Sequence, residues 1–334
     1  MPADQPFAPR DRALYNALWL AEHCFGKTLT NAVFGGTRQA LRKRIRDALD
    51  ERGPGQLRPL DRRSDLDATA FHNLYVSANV PVVLAGAASN WPAASWTPQW
   101  IGENYGDDEV LLIAAGPEDI GKASTEPQFT TLAEIVRGME HGSVKYARFN
   151  PLLQRHPELR TQLDVAWLRD HAASFRFSES FQMFLGGKGT TTAVHAAISN
   201  NLFVNLYGRK RWRLFSPEFS PVLEPPVERA PYFISVVDVG ADERKDDALR
   251  IDGFEVILEP GDVLFVPSFW WHWVTNLSGS IGIGYRFFSP YSIGRSSVTQ
   301  ALLTGLSTNP PAWEAKKHRQ DFTRIFAQTR RGPA

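Results

Sequence analysis

The sequence predicts a mainly β fold of the α+β class, in which a double-stranded β-helix, or jelly roll, carries helices at both ends. Apolar residues alternate with other side chains over 202–207, as a strand with one buried face requires. The Pro260-Gly261 pair suits a type II turn before the apolar run 263–266. Apolar residues at three-to-four spacing predict helices near both termini. Short strands separated by such turns favour an antiparallel jelly roll with helices packed outside.

This pattern divides the chain into three parts. We expect an N-terminal helical segment over 1–55, a jelly-roll domain over 57–290 and C-terminal helices over 291–334. Thr37 is the predicted N-cap of the second N-terminal helix, and the glycines around Pro54 should end that helix. The C-terminal helices, at 296–306 and 313–327, have apolar faces that would form a homodimer or pack on their own chain. Within the jelly-roll domain we expect a helix over 129–139, a loop over 217–253 and a final strand over 280–288.

Composition excludes several classes of protein. The 334 residues are 43% hydrophobic with a formal net charge of +1, so a large core is expected and no general attraction to nucleic acid. A single cysteine excludes an intrachain disulfide and a cysteine-based zinc site. No apolar run reaches membrane-spanning length. We therefore expect a soluble cytoplasmic protein with neither nucleic acid nor membrane as a partner.

Two histidines stand out, because each lies beside an apolar strand. His195 precedes the strand at 202–207, and His272 follows the one at 263–266. If folding closes one metal site, both imidazoles should lie within about 5 Å of each other, since metal–nitrogen bonds are about 2 Å long. In a strand, Trp270 shares the side of His272, whereas Trp271 and Trp273 face the opposite way.

The residues around these histidines resemble the cupin-like branch of the JmjC family, the iron(II)- and 2-oxoglutarate-dependent oxygenases. The resemblance covers about residues 57–290 and is carried by His195, Asn201, Leu202, Gly208, Lys210, Trp212, Gly261, Asp262, Trp270 and His272. It implies Fe(II), 2-oxoglutarate and O2 as cofactors and cosubstrates, with His195 and His272 as metal ligands.

The same resemblance assigns roles to four further residues. It implies that Asn201 is a catalytic, site-lining amide, and that Lys210, Thr192 and Tyr146 bind the distal carboxylate of 2-oxoglutarate. The alternative for Lys210 is a solvated lysine in the hairpin turn that Gly208 and Arg209 begin, with the next strand starting at Arg211.

One member of the family pattern is missing. The metal-binding carboxylate stands two residues after the first histidine, where an extended chain points both side chains the same way, and here that residue is Ala197. Three hypotheses follow: a radical halogenase with chloride or bromide at the vacated position, a hydroxylase whose third ligand is water or another acid, or a non-catalytic binding protein. The expected substrate is a small molecule, a carrier-bound group or a peptide.

Overall fold

The computed structural model describes residues 7–112, 128–141, 146–172, 176–223, 225, 233–235, 237 and 250–306. Two large β-sheets face each other and helices cover their outer surfaces, which confirms the predicted jelly-roll class. The strands are β1 Leu57–Pro59, β2 Arg62–Arg63, β3 Val82–Leu84, β4 Glu109–Leu112, β5 Gln128–Thr131, β6 Tyr146–Asn150, β7 Phe177–Gly186, β8 Thr191–Ala196, β9 Asn200–Tyr207, β10 Lys210–Phe215, β11 Phe233–Ile234, β12 Gly253–Leu258, β13 Val263–Val266, β14 Trp271–Asn276 and β15 Ser280–Phe288. The α-helices are α1 Pro9–Phe25, α2 Lys27–Arg52, α3 Ala68–Phe71, α4 Pro98–Tyr105, α5 Leu132–Glu140, α6 Leu152–Arg155, α7 Val165–His171, α8 Ser220–Leu223, α9 Pro290–Ser296 and α10 Val298–Leu306.

The two sheets have a mixed but mainly antiparallel topology. One has six strands in the order β1-β12-β10-β14-β8-β11, and the other seven in the order β2-β3-β13-β9-β15-β7-β6. The pairs β1–β12 and β2–β3 are parallel, whereas the remaining pairs within these two sheets are antiparallel. Strands β4 and β5 form a separate hairpin.

Three hydrophobic clusters follow from the alternation of side chains along the strands. The inner cluster lies between the sheets and contains Phe203, Trp212 and Trp270. A second cluster joins the outer face of the seven-stranded sheet to helices α3 to α7. The third joins the outer face of the six-stranded sheet to α1, α2, α8 and α10. The interior of the barrel is therefore lined by every second residue of the central strands.

The predicted alternation is confirmed in both motif strands. Leu202, Val204 and Leu206 of β9 pack in the outer cluster, and Phe203 packs in the inner one. Trp270 likewise belongs to the inner cluster. Trp271 and Trp273 pack outward.

The N-terminal prediction was right about the buried face and wrong about the start of the second helix. Helix α2 buries Leu41, Ile45 and Leu49, as the spacing predicted. It begins at Lys27, ten residues before Thr37, and runs through Gly35 and Gly36. A helical glycine costs about 1 kcal/mol relative to alanine, which the packing of a long amphipathic helix offsets.

Other segments differ from the prediction in detail. Residues 129–139, which were expected to be one helix, begin with strand β5 before α5. The segment 217–253, which was expected to be a loop, contains the short helix α8 and strand β11. In the part of the chain that the structure describes, no helix is both long and apolar enough to cross a membrane.

Helix α10, the last helix that the structure describes, packs on its own chain. Leu303 of α10 is buried in the outer cluster that also contains residues of α1, whereas Leu302 and Leu306 are exposed. The second predicted helix, 313–327, lies outside the described residues. A homodimer through these helices remains a prediction.

Candidate functional site

His195 and His272 are direct cross-strand partners on β8 and β14, and both side chains are buried inside the barrel. Their ring centroids lie 4.1 Å apart with an interplanar angle of 55°. Trp212 stacks on the His272 ring at 5.6 Å. The two rings are thus as close as a shared metal ion would require.

Backbone carbonyl groups fix the tautomer of both histidines. The Nδ1–H of His195 donates to the carbonyl oxygen of Ala193 over 2.9 Å, and that of His272 donates to the carbonyl of Trp270, also over 2.9 Å. A carbonyl only accepts hydrogen bonds, so Nδ1 carries the hydrogen and Nε2 keeps its lone pair. Histidine ligands of metals are usually held in this way by the second ring nitrogen.

Both imidazoles are neutral at physiological pH. Burial lowers the pKa of His272 to about 4, with a further lowering by the nearby Arg286. Burial also lowers the pKa of His195 well below its usual value, and electrostatic interaction with His272, Arg286 and Arg148 lowers it further. The pair therefore presents two lone pairs without first losing protons.

A bulge in β8 explains the spacing between Thr192 and His195. Residues three apart would face opposite sides of a regular strand. The pairing of β8 with β14 shifts register between His272 and Val274, so that His272 lies opposite His195 and Val274 opposite Thr192. The extra residue brings both Thr192 and His195 to the interior.

Ala197 follows β8 at the next inward position after His195. Ala196 packs in the outer cluster, so the alternation that places His195 inside continues to Ala197, which is buried. The amide of Phe269 donates to the Ala197 carbonyl over 2.7 Å. This bond ties the position to the turn that leads into β14.

No replacement for the missing carboxylate is present in the described ranges. Within them, no three histidine, cysteine or carboxylate side chains are placed to hold a metal ion. The buried carboxyl groups of these ranges belong to Asp11, Glu22 and Asp262. Each is salt-bridged to an arginine: Arg44, Arg38 and Arg62, respectively. None of these three salt-bridged carboxylates is therefore available as a third metal ligand.

Lys210 is the first residue of β10 and is fully buried, so the interpretation as a solvated turn residue is wrong. Its ammonium donates to Asn276 Oδ1 over 2.7 Å and to the Tyr146 hydroxyl over 3.4 Å. It also lies 5.4 Å from the centre of the Tyr146 ring. Burial lowers the pKa of Lys210 to about 7, so a bound anion would restore its charge.

Tyr146 and Thr192 lie with Lys210 at one end of the interior. Burial raises the pKa of Tyr146, and the Thr192 hydroxyl hydrogen-bonds to the phenol. A Cβ on Gly186 would lie 2.5 Å from Cδ2 of Tyr146, so only glycine at this position lets the ring lie against the strand. The structure thus brings together the three residues that were predicted to hold a carboxylate.

Asn201 lies on the facing sheet. It is buried, and its Oδ1 makes no hydrogen bond to a described residue. The same holds for Nε1 of Trp212 on β10. Orphaned polar atoms inside a barrel are expected where a ligand binds, since they otherwise cost free energy.

Sequence reasoning missed three residues of this interior. Asn276 holds the Lys210 ammonium, and its own amide donates to Thr190 Oγ1 over 2.6 Å. Arg148 and Arg286 are buried near the histidines. Their signal was a charged residue at an inward position of an apolar strand, as in the run SIGIGYRFF.

Residues 68–292 match the family described as the cupin-like domain, and the chain belongs to that family. It is similar to human HSPB1-associated protein 1, with 26% identity over 234 residues, 61% of this chain and 46% of the relative. It is also similar to lysine-specific demethylase 8 of Danio rerio, with 25% identity over 232 residues, 64% of this chain and 55% of the relative. A third relative is JmjC domain-containing protein D of Dictyostelium discoideum, with 25% identity over 235 residues, 64% of this chain and 52% of the relative.

The chain spans about half the length of the curated relatives it matches. The matched region includes both histidines, Ala197, Lys210 and the strands that carry them. It omits helices α1 and α2, which pack against the outer face of the six-stranded sheet.

Proposed function

We propose that this protein is an iron(II)- and 2-oxoglutarate-dependent enzyme of the oxygenase type, and that it acts as a radical halogenase. The observation that carries the proposal is the pair of neutral histidines with Ala197 at the next inward position. Relatives named JmjC protein and lysine-specific demethylase support the oxygenase class. The halogenase assignment is our inference from Ala197.

The histidine pair suits iron(II). Imidazole nitrogen is a common ligand of non-haem iron, and two histidines normally share the metal with one carboxylate. His195 and His272 would hold the ion through Nε2, with Nδ1 anchored on backbone carbonyls. When bound, iron(II) with 2-oxoglutarate and O2 supplies the oxidising power to replace hydrogen on an unactivated carbon.

The other end of the interior suits 2-oxoglutarate. Opposite His272 on β10 lies Leu214, and opposite Asn276 lies Lys210, so one layer of side chains, Trp212 and Val274, separates the two ends. An extended diacid would reach from the histidine pair to the Lys210 ammonium. Lys210, Thr192 and Tyr146 would bind its distal carboxylate by charge-assisted and neutral hydrogen bonds.

Ala197 leaves room for a small anion beside the histidines. Two neutral imidazoles and the 2-oxoglutarate dianion bring less negative charge to iron(II) than a site that also has a carboxylate. Chloride or bromide would restore that charge in the space that the alanine methyl leaves. In the net reaction 2-oxoglutarate is oxidised to succinate and CO2, and halide replaces hydrogen on the substrate carbon. One oxygen atom of O2 enters the succinate carboxylate, and the other forms water with the substrate hydrogen and one proton.

The chain's own residues position the reactants. The backbone bonds of His195 and His272 prevent ring rotation, and Asn276 orients Lys210. Trp270 is buried in the inner cluster, and its Nε1 donates to the carbonyl of Asn79 over 2.9 Å, which fixes the orientation of its ring. Such rigid surroundings keep a substrate carbon in one place relative to the metal.

The test is the halide dependence of the wild-type protein. Reconstituted protein is incubated with Fe(II), 2-oxoglutarate, O2 and candidate substrates, with chloride, with bromide or without halide, and products are identified by mass. We expect halogenated product, with the isotope pattern of the halide supplied. Hydroxylated product alone in saturating halide would instead identify a hydroxylase. Absence of succinate formation under every condition would identify a binding protein.

A further inference from the structure

Two arginines are buried on the inner side of the seven-stranded sheet. Arg286 of β15 is 7% exposed, and its neighbours Tyr285 and Phe287 pack outward, so alternation points Arg286 into the barrel. Arg148 of β6 is 4% exposed and shares the inward side of Tyr146, whereas Ala147 packs outward. Two guanidinium groups are thus enclosed with the histidine pair.

Strand register and a ring contact place both arginines in the interior that the histidines face. Arg286 is the register partner of Asn201 on β9. The Arg148 guanidinium carbon lies 5.8 Å from the centre of the Tyr146 ring, which belongs to the predicted 2-oxoglutarate site. The two arginines therefore share one interior with the histidine pair and Lys210.

The guanidinium of Arg286 packs on the ring of Phe149. The strand β6 shifts register between Ala147 and Asn150, and Phe149 adopts a φ of 55°, which L-residues rarely adopt. Its ring lies 5.0 Å from the Arg286 guanidinium carbon and 5.3 Å from the Phe184 ring. Strained backbone of this kind is concentrated at functional sites.

Side chains of the neighbouring strands pack closely against the inner face of β15. The inward residues of β15 before Arg286 are Gly282 and Gly284, and a Cβ on Gly282 would lie 2.2 Å from Phe203 Cζ. A Cβ on Gly284 would lie 3.1 Å from Asn201 Oδ1 and 3.3 Å from Phe184 Cε2. The Asn201 side chain, whose Oδ1 lacks a hydrogen bond to the described residues, therefore reaches across to the strand of Arg286.

We propose that Arg286 and Arg148 bind an acidic group, a carboxylate or a phosphate, of the substrate that reacts at the histidine pair. A guanidinium binds such groups through parallel N–H bonds, and its planar shape stacks on an aromatic ring as Arg286 does on Phe149. Asn201 supplies a further polar contact in the same space. This inference takes the reaction from the proposed function and adds that the substrate is negatively charged.

The same arrangement excludes a cationic side chain. Some relatives are named lysine-specific demethylases, and a lysine ammonium in this interior would face two guanidinium groups and a metal cation. Like charges in a buried site repel strongly because the low dielectric does not screen them. We therefore expect the preferred substrate to be anionic.

The test measures binding and does not need turnover. Tryptophan fluorescence follows titration of the protein, loaded with redox-inert Mn(II) and 2-oxoglutarate, with four capped amino acids: N-acetyl amides of aspartate, phosphoserine, asparagine and lysine. Asparagine is the neutral isostere of aspartate. We expect one or both acidic probes to bind at least about tenfold more tightly than the asparagine probe, because charge-assisted bonds are much stronger than neutral ones. The lysine probe should bind most weakly.

Variants assign the preference to the arginines. Arg286→Gln and Arg148→Gln should each reduce the acid-to-neutral ratio to below about threefold, and Arg286→Gln should leave 2-oxoglutarate affinity within about threefold. Arg286→Lys keeps the positive charge without the paired N–H groups of the guanidinium, so it should give an intermediate acid-to-neutral ratio. This variant also tests the inference if Arg286→Gln does not fold. Arg213→Gln is the matched control, because Arg213 is equally buried but faces outward, where it binds Glu255 over 2.8 Å.

Two outcomes would overturn the inference. One is an acid-to-neutral ratio near one in the wild-type protein. The other is loss of 2-oxoglutarate binding in the Arg286 or Arg148 variants, which would assign these arginines to a carboxylate of the cosubstrate. The titration is repeated on metal-free protein. If Mn(II) and 2-oxoglutarate fail to bind, the proposed function is lost, whereas an acidic preference that depends on Arg286 would still stand.

Discussion

His195 and His272 face each other across two antiparallel strands, and each donates its Nδ1–H to the carbonyl of the residue two positions earlier. Both rings are thus oriented by the strands that carry them. A metal site of this kind needs no rearrangement of its two histidines, and the consequences for metal binding can be measured.

Metal affinity should vary little with pH above about 6. Protons compete with a metal only near and below the pKa of a ligand, and burial lowers the pKa of His272 to about 4 and that of His195 well below its usual value. Titration with Co(II) at pH 8 and pH 6 should give dissociation constants within about threefold. A fall in affinity of more than about tenfold over this interval would mean that the histidines titrate normally.

The affinity for 2-oxoglutarate should fall as the pH rises above 7. Burial lowers the pKa of Lys210 to about 7, and a bound carboxylate would raise it again, so binding above pH 7 takes up one proton. The dissociation constant should rise nearly tenfold per pH unit between pH 7.5 and 9. Calorimetry in buffers of different ionisation enthalpy should show the proton uptake. A pH-independent affinity would exclude Lys210 as the anchor.

Replacing Lys210 with methionine should abolish 2-oxoglutarate binding and stabilise the ligand-free protein. The folded-state pKa of Lys210 is depressed, so its unfavourable contribution is present below the unfolded value of 10.5 and grows as the pH falls toward 7. Methionine keeps most of the stem volume without the charge. At pH 7 the free energy of unfolding should rise by about 1–3 kcal/mol. Unchanged 2-oxoglutarate affinity would mean that another residue binds it.

Asn276→Leu is the companion variant. It keeps the lysine and removes the side chain that accepts its hydrogen bond over 2.7 Å. We expect 2-oxoglutarate affinity to fall about tenfold, because a misdirected ammonium loses part of a charge-assisted bond. An affinity equal to that of wild type would show that Asn276 does not position Lys210.

Replacing Ala197 with aspartate should suppress halogenation in favour of hydroxylation or uncoupled 2-oxoglutarate turnover. The new carboxylate stands two residues after His195 at an inward position and competes with halide for the metal. Halogenation should fall sharply, while hydroxylation or uncoupled 2-oxoglutarate turnover persists or rises. Ala197→Ser is the control, since it adds polarity without a charged ligand. Full halogenation by the aspartate variant would contradict a halide site at this position.

Much of the fold was predictable because strands and turns leave local signals. Strand β15 has the predicted bounds, Ser280–Phe288, and the inward side of Trp270 followed from alternation alone. The start of α2 was missed because Thr37 has the chemistry of a cap, although packing continues the helix back to Lys27. Local propensity is weaker than tertiary contacts at such positions.

The site was only partly predictable. The family pattern found His195, His272 and Lys210, but the hairpin appearance of 208–210 placed the start of the next strand at Arg211, one residue after its actual start at Lys210. Arg148 and Arg286 were missed because arginine is normally a surface residue, and their burial depends on the register of strands distant in sequence. The inward turn of Phe149 depends on a bulge that no local signal marks.

The most direct test of the account is anaerobic titration of the protein with Fe(II) and 2-oxoglutarate, with and without chloride, followed by visible absorption. We expect a charge-transfer band that saturates at one iron per chain, changes when chloride is added, and is lost in His195→Ala, His272→Ala and Lys210→Met. Arg213→Gln should retain it. Wild-type protein that is folded by circular dichroism but shows no band with both compounds in excess would contradict the central claim.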